Sequence, residues 1–290
     1  MVQAFIVQVL MAGGVYALLA VGFSLIFGVA RVINLAHTAF FMLAAYGMFF
    51  CSFQLGLNPI LAIVLSLLVA TLAGVASYKL FIDRIREHHA AVLLITLTLA
   101  MIFQELLLLA FGAHFRHTPV VVSGFVEIFG VGVTYQRLLS FGIVIVVLLC
   151  VWAVLSRTKL GLAIRATAQD TEIANLMGIN VSGVLLMTMG MASALAAIAG
   201  VVVAPLWVTF PYMWMSPLVM IMVIVTLGGL GSIKGSVIGA FIIGLVETMV
   251  VFLVPGGAFL RLPFALLIMV IILVVRPGGL FGIVFEEERL

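Results

Sequence analysis

Two carboxylates, Glu105 and Glu247, stand deep inside long apolar runs, and Asn34 and His37 stand at the head of another. An acid held in hydrocarbon is costly, so it is a functional candidate by default. Either acid could carry a proton in a coupled carrier if it had a His or Arg partner, or it could stay neutral and bond to a neighbouring helix. The sequence offers no clear partner for either. Further along, Gly228, Gly229, Gly231 and Ser232 close another apolar run. Polar or Gly-rich interruptions in corresponding halves of a membrane chain point to broken helices along a translocation path. On that reading Asn34, His37, Gly228, Gly229, Gly231, Ser232 and Glu247 are the candidate path residues. The plainer alternatives are a His that hydrogen-bonds across a bundle and glycines that make a tight turn between two spans.

A second group is charged and small. Residues 165–180 contain Asp170, Glu172, Ile173, Ala174, Leu176, Met177 and Gly178. Asp170 can cap a helix, and Thr167 with Asp170 has the spacing of a capping box. Ile173, Leu176 and Met177 then share one face of a two-turn helix, which Gly178 can end in the left-handed conformation. A short helix with an apolar face and no spanning length needs something to cover it. It could lie on lipid headgroups, or it could dock in a groove of a soluble partner.

Other chemistry is missing. A P-loop needs Gly, four residues, then Gly-Lys-Ser/Thr, and the order around Lys234 and Gly235 is wrong for it. No His-Glu-x-x-His or paired-Cys motif suggests a metal, and Cys51 and Cys150 read as small buried hydrophobes. The chain is expected to bind no cofactor and to hydrolyse no ATP by itself.

The elements that must position these residues follow from composition. Hydrophobic residues make up 66% of the chain and charged ones only 8%, against about 25% charged in a soluble domain. Lipid is therefore the main solvent, and nucleic acid is not an expected partner. The N-terminus has no positive region before its first apolar run, so that run reads as a retained span rather than a signal. Runs of roughly 20 residues fall at 5–29, 32–53, 59–78, 90–112, 138–156, 184–206, 216–233, 235–254 and 262–276. The last is short enough to tilt or to cross only part of the membrane. These runs predict an all-α, polytopic transmembrane bundle of about eight or nine spans in a single domain, residues 1–290.

Lys and Arg collect on the cytoplasmic side. Threading nine spans puts Arg31, Lys79, Arg84, Arg86, Arg157, Lys159, Arg165, Lys234, Arg276 and Arg289 inside, and Arg116, Arg137 and Arg261 outside. That favours an outside N-terminus. If one early run is re-entrant, the N-terminus flips and eight crossings remain. The outer segment 113–136, with His114, His117, Pro119 and Gly130, is expected to form a cap or short amphipathic helix. The inner segment 157–183 is the cytoplasmic loop that carries the short helix. Small-residue ladders at Gly235/Gly239 and Ala192/Ala196/Gly200 predict close helix approach.

Several stretches resemble a family. Glu172-Ile-Ala174, three residues, then Gly178 is similar to the Glu-Ala-Ala loop of ABC importer permeases, with Ile173 in place of the first Ala. Gly14-Val-Tyr-Ala-Leu-Leu-Ala-Val-Gly-Phe-Ser-Leu-Ile-Phe-Gly28, followed by Arg31-Val-Ile-Asn-Leu-Ala-His37, looks like the opening of branched-chain amino acid ABC permeases of the LivH type. Arg165-Ala-Thr-Ala-Gln-Asp170 with Leu176-Met-Gly-Ile-Asn180, Leu227-Gly-Gly-Leu-Gly-Ser232, and Val275-Arg-Pro-Gly-Gly-Leu-Phe-Gly282 resemble later signatures of that family in the same order. The likeness runs from about residue 5 to 283. Thr38 departs from it, since many members have Gly after the His, and residues 207–216 align with no motif.

The resemblance implies a permease subunit of an ATP-driven importer in a bacterial-type inner membrane, forming a translocation path for branched-chain or related hydrophobic amino acids. It implies a second, homologous permease, two cytoplasmic P-loop ATPases that hold ATP and Mg, and an extracytoplasmic substrate-binding protein. It also implies that residues 170–178 are the coupling helix seated in the ATPase. Related permeases serve urea, short amides and aromatic acids, so the solute stays open. A stand-alone secondary transporter or channel would instead depend on an acid such as Glu247. A membrane-embedded enzyme would need several polar groups brought together around His37 or Glu105.

Overall fold

Backbone in hydrocarbon must satisfy its N–H and C=O groups internally, which a helix does within one segment. The computed structural model describes residues 2–128, 131–276 and 278–281. Of the positions named above, Gly130, Pro277, Gly282 and Arg289 lie outside them. The chain runs through α1 (Val2–Ala30), α2 (His37–Phe49), α3 (Pro59–Ser77), α4 (His89–Phe111), β1 (Phe125–Ile128), β2 (Val131–Thr134) and α5 (Tyr135–Arg157). It continues through α6 (Lys159–Gln169), α7 (Thr171–Leu176), α8 (Val181–Val203), α9 (Met215–Gly228), α10 (Ile233–Leu253) and α11 (Gly257–Val275). Each of the nine apolar runs thus has its helix. Single π-helical turns, Phe50–Gln54 and Tyr78–Ile82, extend α2 and α3.

Seven of these helices are long and apolar enough to cross a bilayer alone. The exceptions are α2, with 13 residues, and α9, with 14. At 1.5 Å per residue each covers only about 20 Å. Irregular backbone completes both crossings. With the Lys- and Arg-rich side taken as the inner one, residues 31–36 leave the inner end of α1 and climb beside it until the His37 Nε2 lies 3.0 Å from the Leu19 carbonyl oxygen, roughly 17 Å back along that helix. Residues 204–214 return from the outer end of α8 in the same way, and Trp214 Nε1 donates to Gln104 Oε1 of α4 at 2.8 Å.

The element order therefore repeats. A long helix, a break, a short helix and two long helices occur first as α1–α4 and again as α8–α11, entering the membrane from opposite sides. Packing follows the repeat: α1 lies on α10 as α8 lies on α3, and α1 and α8 pack on each other between them. This is an inverted repeat of the kind found in transporters. The sequence had matched the break at Asn34 and His37 with Gly228–Ser232. The structural counterpart is 204–214, the stretch that aligned with no motif.

Position in the bundle sorts the helices. Across an 18-residue apolar stretch of α1, 83% is buried, against only 6% in α11. The helices α1, α2, α8 and α9 form the centre, while α3, α4, α5, α10 and α11 surround them. Two expectations need correction. The last helix begins at Gly257 rather than 262 and has 19 residues, carrying Pro263 within it. Of the two forms expected for the outer segment, a cap or a short amphipathic helix, its described residues form no helix before α5. It makes an antiparallel hairpin that pairs Phe125 with Thr134 and Val126 with Val133, as suits its alternating β-branched residues. Gln136 Oε1 anchors the segment by accepting from the Val121 and Val122 amides at 3.0 and 3.2 Å.

The small-residue ladders bring backbones together as their spacing implied. A Cβ on Gly200 would sit 2.2 Å from the Phe41 carbonyl oxygen, and one on Gly239 would sit 2.8 Å from that of Ile224. Between α1 and α10, a Cβ on Gly244 would lie 2.8 Å from the Gly13 nitrogen. A Gly200→Val substitution should therefore push α8 from α2 and destabilise the protein by about 1–3 kcal/mol or more. A clearly lowered melting temperature in mild detergent is the expected reading, with Ala194→Val as a comparison at a less enclosed position.

Candidate functional site

The break at 31–36 starts at Arg31, whose φ of 54° is the one positive value at a non-glycine among the described residues. Its guanidinium donates to the Gln169 carbonyl, the last residue of α6, at 3.4 Å. Along the break, the Ala36 amide donates to Asn34 Oδ1 at 3.0 Å, the His37 amide to the Asn34 carbonyl at 3.3 Å, and the Leu35 amide to Thr96 Oγ1 of α4 at 3.2 Å. Asn34 Nδ2 points at Met189 of α8. Asn34 and His37 are 1% and 0% exposed, so in this conformation neither reaches an open surface. Phe23 packs edge-on to His37, and the His37 Nδ1 has no hydrogen-bond partner. Together these contacts satisfy backbone that has left the helix inside the membrane.

Gly228, Gly229, Gly231 and Ser232 lie elsewhere on the inner side, forming the turn between α9 and α10. Gly229 and Gly231 have φ of 97° and 81°, values that favour glycine. The Ser232 hydroxyl caps α10 by accepting from the Gly235 amide at 3.1 Å. The turn is pressed from two sides. A Cβ on Gly231 would lie 3.1 Å from the Gly28 Cα of α1. The Leu280 and Phe281 amides donate to the carbonyls of Leu227 and Gly228 at 2.8 and 3.1 Å. Three of the stretches singled out in the sequence thus meet at one place, and they do so as a tight turn.

The second break was not read as a break from sequence. Arg116 and Thr209 exchange backbone hydrogen bonds of 2.9 Å each and tie it to the outer segment. Arg116 also donates to the Phe111 carbonyl at 2.8 Å and lies over the Phe49 ring. Pro205 just past α8 and Pro211 six residues on were the available signals, since proline cannot continue a helix.

Glu247 has the partner that the sequence did not reveal. Arg261, four residues into α11, places Nη1 3.1 Å from Glu247 Oε1. Tyr16 of α1 lies beside the same carboxylate. The pair sits near the outer ends of α10 and α11. A buried ion pair broken on one side leaves the other charge uncompensated. Because Arg261 is about half exposed, Glu247→Gln should cost only about 1–2 kcal/mol. Glu247→Gln combined with Arg261→Met should recover part of that, read as melting temperatures through a double-mutant cycle.

At the inner face, α6 and α7 are built by short-range chemistry. The Thr158 hydroxyl caps α6. A Cβ on Gly161 would lie 2.3 Å from the Val154 carbonyl oxygen, so α6 turns tightly under α5. Asp170 caps α7, with Oδ1 accepting from the Glu172 and Ile173 amides at 2.8 and 2.9 Å. Thr167 is buried within α6 and takes no part in that cap, so the capping-box reading of it is corrected. Ala174 is buried, while Ile173, Leu176 and Met177 are 56%, 86% and 79% exposed. Gly178 follows at φ 84°. The structure thus leaves one apolar face of a capped turn open to the inside, with Arg31 holding the end of α6 to the first break.

A cavity of about 210 Å³ between α3, α5 and α8 is lined chiefly by apolar side chains such as Leu67, Ile143 and Ile198. Among the described residues no three His, Cys, Asp or Glu side chains gather as a metal site.

Comparison with known proteins agrees with this geometry. The family profile described as "Branched-chain amino acid transport system / permease component" matches residues 5–275. The chain is 27% identical to the high-affinity branched-chain amino acid transport system permease protein BraD of Pseudomonas aeruginosa, over 96% of this chain and 94% of that one. It is 28% identical to LivH of Escherichia coli K12, over 93% and 92%, and 26% identical to a probable LivH of Methanocaldococcus jannaschii, over 94% and 90%. Among solved structures, PsaBC from Streptococcus pneumoniae in complex with Fab has a similar fold, with a TM-score of 0.55, 14% identity, and coverage of 96% and 97%.

Proposed function

The chain belongs to the family of branched-chain amino acid transport system permease components, and from that premise we propose that it moves branched-chain or related hydrophobic amino acids across the cytoplasmic membrane as one subunit of an ATP-driven importer. It is a multi-pass inner-membrane protein and a transport subunit. ATP and Mg belong to two cytoplasmic P-loop ATPases, a second homologous permease completes the membrane core, and an extracytoplasmic binding protein delivers the solute.

The observation that carries this reading is the α7 face. Asp170, Glu172, Ile173, Ala174, Leu176, Met177 and Gly178 form a capped, glycine-terminated turn with three exposed apolar side chains and no spanning length. Such a face suits a hydrophobic groove on a soluble partner. In the mechanism we propose, closure of the ATPases moves α7. The contact of Arg31 with Gln169 passes that movement to residues 31–36, where Asn34 and His37 hold irregular backbone in place. The turn at Gly228, Gly229, Gly231 and Ser232 lies against the same inner end of α1 and follows it. Interdigitated backbones of this kind favour two discrete arrangements over continuous bending, which suits alternation between inward- and outward-facing states. The apolar character of the chain suits weak contact with the solute, leaving selectivity to the binding protein.

Co-purification tests the assembly. Tagged protein expressed with its gene neighbours and extracted in mild detergent should bring down P-loop ATPases and a second permease. Ile173→Asp with Leu176→Asp puts two charges into the buried face and should lower ATPase recovery at least tenfold, since each buried unpaired charge costs several kcal/mol. Recovery of the chain alone, stable and intact, would overturn the importer assignment.

A further inference from the structure

Helix α4 presents Leu94, Met101 and Leu109 outward from the bundle, and Glu105 lies exposed on the same face. Leucine and methionine there can meet lipid. A carboxylate in a span is rare and almost always faces protein or water, yet Glu105 faces away from its own bundle about 9 Å short of the outer end of α4. The ion pairs among the described residues are Lys79–Asp83 and Glu247–Arg261, so Glu105 has no cationic partner within them. Its neighbour Gln104 is buried and fixed at both ends. Gln104 Oε1 accepts from Trp214 Nε1 at 2.8 Å, and Gln104 Nε2 donates to Glu105 Oε1 at 3.0 Å. The amide is thereby held in one orientation, which pins one carboxylate oxygen and leaves the other facing outward. Trp214 is the residue from which α9 starts, so the carboxylate is wired to the second break.

Within the chain, the cavity between α3, α5 and α8 is apolar, and Asn34 and His37 are buried. An outward face that is apolar with one anchored carboxylate complements an amino acid with an aliphatic side chain and an ammonium group, since a charged acceptor strengthens the hydrogen bond from an ammonium. We propose that the α4 face bearing Glu105 is the wall of the translocation path shared with the second permease subunit, and that Glu105 receives the ammonium group of the passing amino acid. The ammonium assignment rests on the functional reading above.

The assembled importer, reconstituted in liposomes with its binding protein and ATPases, allows two independent readouts. The first is labelling with a membrane-impermeant, cationic methanethiosulfonate. The E105C complex should react at least about tenfold faster than the unmodified complex, because a thiol forms its reactive thiolate only where water reaches it. The unmodified complex supplies the control through Cys51, buried as its sequence suggested, and Cys150, which is exposed on α5 and not the buried residue that the sequence suggested. The second readout is L-leucine uptake. E105Q should lower the maximal rate at least about fivefold with the complex still assembled, and E105D should keep more of it. Labelling of E105C no faster than the control would place α4 against lipid and overturn the path wall. Fast labelling with E105Q uptake within about twofold of the unmodified complex would overturn the ammonium role alone. If the unmodified complex assembles and hydrolyses ATP yet takes up no leucine, the amino-acid reading fails and the ammonium role with it, while the labelling result still decides the wall.

Discussion

A polypeptide that leaves the helix inside a bilayer must find hydrogen-bond partners within the protein, and this molecule does so twice. Much of its architecture serves that requirement. Thr96 of α4, Asn34 itself and the Leu19 carbonyl supply partners for the first break. Arg116 and Gln104 supply them at the second. The helices that flank the breaks are the most buried in the chain, because lipid can replace none of those contacts. The peripheral helices need no such support, and α11, packed on α9 and α10, buries few of its residues.

The same requirement explains how much of the molecule was legible in the sequence. Helices in hydrocarbon are announced by apolar runs, so all nine were found. Local capping is also written locally: Asp170 and Gly178 framed α7 correctly, because a cap depends on residues two to eight positions away. Partners separated along the chain left no such mark. Glu247 looked unpaired because Arg261 fell one residue outside the run assigned to the last helix. The break at 204–214 went unread because its polar groups are mostly backbone, and the fragment Trp207–Phe210 looks like ordinary apolar sequence. Thr167 misled in the opposite sense, offering cap spacing while lying inside α6.

The candidate residues divided in an informative way. Asn34 and His37 lie where polarity serves an interrupted backbone. Gly228, Gly229 and Gly231 lie where absence of a side chain lets three segments touch, and Ser232 caps the helix that follows. Neither group opens onto a cavity in this conformation. What both groups share is the inner end of α1, which also reaches the cytoplasmic helices through Arg31. The inverted repeat supplies a counterpart at the outer side, so the molecule has one interrupted span reaching in from each surface, and the two are joined at the centre by the packing of α1 on α8.

The seam between α1 and α10 also bears on how the molecule is made. The first of these helices in chain order has its most extensive partner in the eighth span, α10, and the glycines Gly13 and Gly28 on one side and Gly231 and Gly244 on the other lie more than 200 residues apart along the chain. At typical synthesis rates of about 5–20 residues per second, α1 waits roughly ten to fifty seconds before α10 exists. During that time its grooved face is open to lipid and to other nascent helices. The bundle cannot close in the order of its sequence, so its centre is completed among the last steps of insertion, and premature termination anywhere before residue 250 leaves the innermost helix without its mate.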